Sequence, residues 1–187
     1  MSADRATGPL RVALIGAECT GKTSLAMAMA RELPGLWLPE ILREWCEALG
    51  RTPRPHEQAG LMRAQLEREV RGHQEAARAD LRWLISDSTP LVTALYSVEL
   101  FDDASLLPEA LAHQRGYDLT LLLEADLPWV ADGIQRDGPA VRAGFHARLV
   151  ATLHAHRVAY VPVGGDEGER LAGALAAARQ AYNLRTR

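Results

Sequence analysis

The residues best suited to chemistry lie near the start of the chain. Gly16 to Thr23 reads GAECTGKT, a full GxxxxGK[ST] match between an apolar run, RVALI, and a helix-forming run, SLAMAMARELP. With a strand before it and a helix after it, this pattern makes a phosphate cradle. Gly16 and Gly21 admit the tight backbone path that aims the N–H groups of Ala17, Glu18, Cys19 and Thr20, and the positive end of the next helix, at one anion. Lys22 adds a point charge for the outer phosphates. The Thr23 hydroxyl suits a magnesium ion that bridges them, and Ser24 carries the loop into the helix. The ligand expected is a nucleoside triphosphate with Mg2+. Lys22 is also the only lysine among 21 Lys and Arg residues, so in an arginine-rich chain it marks a place where a compact ammonium serves and a planar guanidinium does not. No redox role is expected for Cys19.

Phosphoryl transfer also needs carboxylates and mobile positive charge. Asp87 ends the apolar run RWLISD and is expected at the carboxyl edge of a sheet, holding magnesium or orienting an acceptor, or else capping the helix that begins near Pro90. Glu40, in LWLPEILREW, is a candidate base for an acceptor hydroxyl, with Arg43 on the same face reaching acceptor or phosphate; an exposed helix-start Glu paired with Arg43 is the competing reading. Arg136, in the loop WVADGIQRDGP between Gly133 and Gly138, is a candidate lid arginine, with Arg142 assisting; pairing with Asp132 and Asp137 in a static loop is the alternative.

The elements that must position these groups read as strands at Arg11 to Ile15, Leu36 to Leu38, Trp83 to Ser86, Leu119 to Leu123 and Val158 to Val163. Helices are expected at Thr23 to Leu33, Ile41 to Leu49, Glu57 to Arg82, Pro90 to Leu100, Leu106 to His113, Pro139 to His156 and Glu167 to Tyr182. Short apolar strands alternating with helices imply a parallel sheet covered on both faces. The Glu and Arg residues that crowd the third helix read as a solvated face. At 187 residues, with no repeat or low-complexity linker, one domain spanning 1–187 is expected, with a flexible start over 1–9. A net charge of -3 argues against broad capture of nucleic acid. The apolar runs fall far short of the ~20 residues that span a bilayer, and the polar start lacks the apolar core of a secretion signal. A cytoplasmic protein acting on a small molecule is expected; a homo-oligomer is compatible with the sequence. Cys19 and Cys46 give no disulfide framework or zinc spacing. The absence of an NKxD element argues against a GTPase switch.

Together GAECTGKTSL, LPEILREW, ISDSTPLVTALYS and above all YDLTLLLEADLPWVADGIQRDG resemble the nicotinamide-riboside kinase domain of the bacterial NAD-biosynthesis regulator NadR, in register from about Arg11 to Arg179. The resemblance implies a three-layer α/β P-loop NTPase fold with a five-stranded parallel sheet and a short lid, of nucleoside- and nucleotide-kinase type. It implies ATP-Mg as donor, transfer to the 5'-hydroxyl of nicotinamide riboside, and Trp45, Tyr96 or Trp129 as stacking partners for the acceptor base, although each aromatic suits a core equally. Where that family pattern leads one to expect a second acidic residue after Asp87, this chain reads Ser88-Thr89-Pro90, which alters the acceptor wall. Another nucleoside or nucleotide as acceptor, and a slow ATP-hydrolysing regulatory protein, are the competing readings.

Overall fold

The computed structural model describes residues 8–129 and 138–186. Its strands are β1 (Leu10–Ile15), β2 (Gly35–Leu38), β3 (Trp83–Asp87), β4 (Leu119–Leu123) and β5 (Val161–Val163), all parallel, in the order β2-β3-β1-β4-β5. The helices are α1 (Lys22–Glu32), α2 (Ile41–Leu49), α3 (Gln58–Arg78), α4 (Pro90–Phe101), α5 (Leu107–Gln114), α6 (Gly138–Ala155) and α7 (Glu167–Arg185). A 3-10 turn at Pro55–Glu57 leads into α3.

Alternation along the strands divides the core into two layers. Leu10, Val12 and Leu14 of β1, with Ile85 and Leu121, pack on Leu25, Ala26 and Met29 of α1 and Ala174 and Ala178 of α7. Ile15 and Leu122 face the opposite side, against Leu91 and Leu95 of α4 and Phe145 and Leu149 of α6. Both faces are therefore buried, and central β3 and β4 are buried throughout. On β2, α3 comes so close that a Cβ on Gly72 would meet the Leu38 side chain at 2.7 Å and push it aside.

Two expectations change in the fold. The last strand begins at Val161, because Val158 instead seals the end of α6: Arg157 takes φ 53°, the Val158 N–H donates to the Leu153 carbonyl at 2.9 Å, and the Val158 side chain joins the α6 side of the core. The start is anchored earlier than expected, since Arg185 holds the Gly8 carbonyl at 2.8 Å and Pro9 is buried. Along α3, Arg63, Glu67, Arg71 and Glu75 form the solvated face expected of it. Its buried stripe of Gln58, Leu61, Met62, Gln65, Glu69, Gly72 and Ala76 carries a carboxylate that is 1% exposed.

Candidate active site

β1 delivers the cradle to the middle of the sheet, and β3 lies directly beside it with Leu14 opposite Asp87. That neighbourhood brings the Thr23 hydroxyl to Asp87, donating to Oδ2 at 2.6 Å. The capping alternative for Asp87 is thereby overturned: the N-cap of α4 is Thr89, whose own hydroxyl donates to Gln114 at 2.8 Å. Asp87 Oδ1 is buried with no hydrogen-bond partner among the described residues.

Inside the cradle, Gly21 sits at φ 80° as the N-cap of α1, where a side chain would be strained. At Gly16 an added Cβ would lie 3.1 Å from the Leu123 carbonyl oxygen, so β4 leaves no room for one. Ala17 and Thr20 are fully buried, and Thr20 ties the loop to itself by donating to the Ala17 carbonyl at 2.8 Å. Lys22 Nζ donates to the carbonyls of Gly16 at 3.1 Å and Ala17 at 2.8 Å, which holds its charge at the mouth of the loop. Cys19 adopts φ 52°.

An open cleft of about 510 Å3 is lined by Glu18 to Ser24 and, across from them, by Glu40, Arg43, Val92 and Tyr96. Glu40, Arg43 and Tyr96 thus line the same cleft as the cradle. Burial raises the Glu40 carboxyl above its ordinary value, the Lys22 charge opposes that rise, Asp87 adds to it, and Arg43 and a hydrogen bond with Ser88 oppose it. Asp87 is likewise raised by burial against the Thr23 hydrogen bond and the charges of Lys22 and Arg43. Two carboxylates with elevated proton affinity therefore face one ammonium. Ser88 takes φ 64° in the turn between them.

The two tryptophans stand elsewhere. Trp45 is not among the residues lining the cleft; it packs beside Leu42, Cys46 and Leu61, with the Arg51 guanidinium 4.7 Å from its ring centre. Trp129 Nε1 donates to the cleft-lining Glu18 at 3.2 Å. Tyr96 stacks on Phe145 with ring centres 4.2 Å apart. Arg136, Gly133, Asp132 and Asp137 lie outside the described residues. Arg142, the residue expected to assist a lid, is buried and donates to the carbonyls of Leu127 at 2.9 Å, Ala125 at 3.1 Å and Cys19 at 3.5 Å.

Sequence reasoning missed Arg170 of α7, which is 3% exposed and donates to the carbonyls of Thr20 at 3.0 Å, Gly165 at 2.8 Å and Glu124 at 3.3 Å while pairing with Asp126. Arg142 and Arg170 thus grip the cradle's outward-facing carbonyls from two sides. A second hollow, about 270 Å3, opens between α1 and α7 and is lined by Ser24, Leu25, Leu127, Glu167, Arg170 and Leu171.

A family model described as an AAA domain matches residues 11–170. The chain belongs to this AAA-domain family. Among solved structures it is similar to a NadR protein in complex with NR, at TM-score 0.74 and 22% identity over 96% of this chain and 53% of that one. It is also similar to a NadR protein in complex with NAD and AMP-PNP, at TM-score 0.70 and 21% identity over 97% of this chain and 51% of that one. A thymidylate kinase from Candida albicans aligns at TM-score 0.64 and 14% identity over 96% of this chain and 94% of that one. The chain spans about half the length of the NadR proteins. No curated protein matches the sequence. The fold is that of P-loop nucleoside and nucleotide kinases, a five-stranded parallel sheet with the cradle after β1. Among the described residues no helix is long and apolar enough to cross a membrane.

Proposed function

We propose that this protein is an ATP-dependent small-molecule kinase that phosphorylates the 5'-hydroxyl of nicotinamide riboside to give nicotinamide mononucleotide. The observation that carries the reading is Glu40, a second carboxylate in the cradle's own cleft and separate from the Asp87–Thr23 pair. A protein that only binds or senses a nucleotide has no evident use for a desolvated base at that position. A kinase has one: the base takes the proton of the acceptor hydroxyl as the bond to phosphorus forms. The fold shared with a NadR protein in complex with NR is what supports this acceptor.

The donor set of Thr23 and Asp87 fits magnesium, a hard cation that takes oxygen ligands, and the partnerless Asp87 Oδ1 is the atom such an ion would satisfy. Bound there, it would neutralise phosphate charge. The cradle's N–H groups and Lys22 hold the phosphates, and Lys22 leaves its two carbonyl partners to meet the transferred group. Glu40 orients the acceptor hydroxyl and accepts its proton, and Arg43, after Lys22, favours the ionised carboxylate while offering the acceptor a charged donor. Tyr96 supplies an aromatic wall.

A second acceptor class, another nucleoside or nucleotide, is favoured by the uncharged Ser88 beside Glu40, where the resemblance leads one to expect an acid. ADP release from ATP-Mg, measured with nicotinamide riboside, with a panel of nucleosides and nucleotides, and with no acceptor, tests both. Product is read by mass. Stimulation by nicotinamide riboside supports the first reading, stimulation by another acceptor moves the protein to the second, and acceptor-independent turnover rejects the kinase.

A further inference from the structure

Glu40 stands at the N-cap of α2, a position whose side chain ordinarily turns back onto the first N–H groups of its own helix. Here it makes no such bond, yet the helix end is not left bare. The Ile41 N–H, directly after Glu40, donates to Gln65 Oε1 of α3 at 3.3 Å. The Pro39 carbonyl, directly before Glu40, accepts from Arg68 of α3 at 3.0 Å. Gln65 and Arg68 lie three residues apart and therefore on one side of α3, so a single helix grips the backbone on both sides of Glu40.

Both gripping side chains are themselves held. Arg68 forms a two-pronged pair with Glu44 of α2, both contacts at 2.6 Å. Gln65 is 4% exposed and donates to Glu69 at 3.4 Å. Glu69 in turn is bonded by Arg11 of β1 at 3.1 Å, His113 of α5 at 2.8 Å and Tyr117 at 2.6 Å. Gln65 and Glu40 border a hollow of only about 10 Å3, lined also by Leu42, Leu61, Ser88 and Thr93, so the carboxylate has little space in which to fall back.

We infer that Gln65 and Arg68 are positioning residues for the base: by taking over the capping of α2 and fixing the peptide groups on either side, they release the Glu40 carboxylate into the cleft and set where it points. This rests on the kinase reading for its catalytic consequence, though not for its geometry. Without Gln65, the Glu40 carboxylate is the nearest acceptor for the amides it precedes, and it turns away from the acceptor hydroxyl to cap its own helix.

The test is a double-substitution cycle read in kinetics. Gln65→Met keeps the volume and removes the acceptor atom; it is expected to lower kcat for the preferred acceptor roughly tenfold or more while KM for ATP stays within about twofold, because the cradle stands on other elements. In a Glu40→Gln background the same substitution is expected to change the residual rate less than about twofold, since there is no longer a base to aim. An equal fold loss in both backgrounds overturns the inference. Should Gln65→Met fail to fold, Arg68→Met carries the same cycle from a partly exposed site. Amide exchange in the unaltered protein decides independently: a protected Ile41 N–H supports the capping bond, and exchange at the open-chain rate overturns it. If the unaltered protein phosphorylates no acceptor, the kinase reading falls and amide exchange alone decides the positioning claim.

Discussion

Asp87 and Glu69 are two buried carboxylates treated in opposite ways. Asp87, on the cleft side, has one oxygen tied to Thr23 and the other with no partner, and burial raises its proton affinity. Glu69, between α3 and the start of β1, receives Arg11, His113, Tyr117 and Gln65. Burial works to raise it, and the bonds and charges of His113, Tyr117 and Arg11 together outweigh that effect and hold it below its ordinary value. A buried polar group that is fully satisfied serves the fold; one left partly unsatisfied is available to a ligand. The contrast separates a site from a brace, although both residues are acids buried to the same degree.

The strongest way to break the contrast is to remove charge from the cleft. Lys22→Ala should abolish phosphoryl transfer, by about 10³-fold or more, and leave the melting temperature nearly unchanged; transfer that survives would remove the cradle from the chemistry. Glu40→Gln should lower kcat by roughly 10²- to 10⁴-fold with bound ATP retained, as loss of a general base does.

The paired carboxylates sharpen it. Glu69→Gln should destabilise the protein by about 3 kcal/mol near neutral pH, because it strips the partners of a buried charge, while kcat per folded molecule changes less than the stability implies. Because the folded-state affinity of Glu69 is lowered, its contribution is present above the unfolded value of 4.5 and is lost as the pH falls through the folded value. Melts of the unaltered protein and Glu69→Gln should therefore converge in acid. Asp87→Asn should do the reverse, costing activity with little loss of stability, since a raised carboxyl contributes least to the fold when ionised. A large destabilisation by Asp87→Asn would erase the distinction.

The smallest effect concerns pH. The acid limb of kcat/KM for the acceptor should lie above 4.5, because the free protein holds Glu40 raised, and Arg43→Met should move that limb higher by removing a charge that favours the ionised form. A limb that stays put would separate Arg43 from the base.

Local signals carried much of this arrangement. The cradle motif, the apolar strands and the end of β3 at Asp87 were legible because each depends on a short run of residues, and α2 and β4 fall on the expected bounds. Arg142, Arg170, Gln65 and Glu69 were not, because their residue types signal solvent and only distant partners make their burial affordable. The long charged helix illustrates the point: its outer Glu and Arg residues hide a polar stripe whose role depends on β1, α2 and α5 arriving from elsewhere in the chain. Ser88 was noticed as a departure in type, but its positive φ and its contact with Glu40 belong to the turn itself.

Lys22 has a further consequence for the bench. Its ammonium, held by two loop carbonyls, is the only side-chain amine in the sequence. Within this sequence amine-directed reagents thus have one side-chain target, and it lies at the phosphate cradle. The stoichiometry of covalent labelling, with and without nucleotide, becomes a direct count of open cradles, in a protein that needs no engineered tag to report its own occupancy.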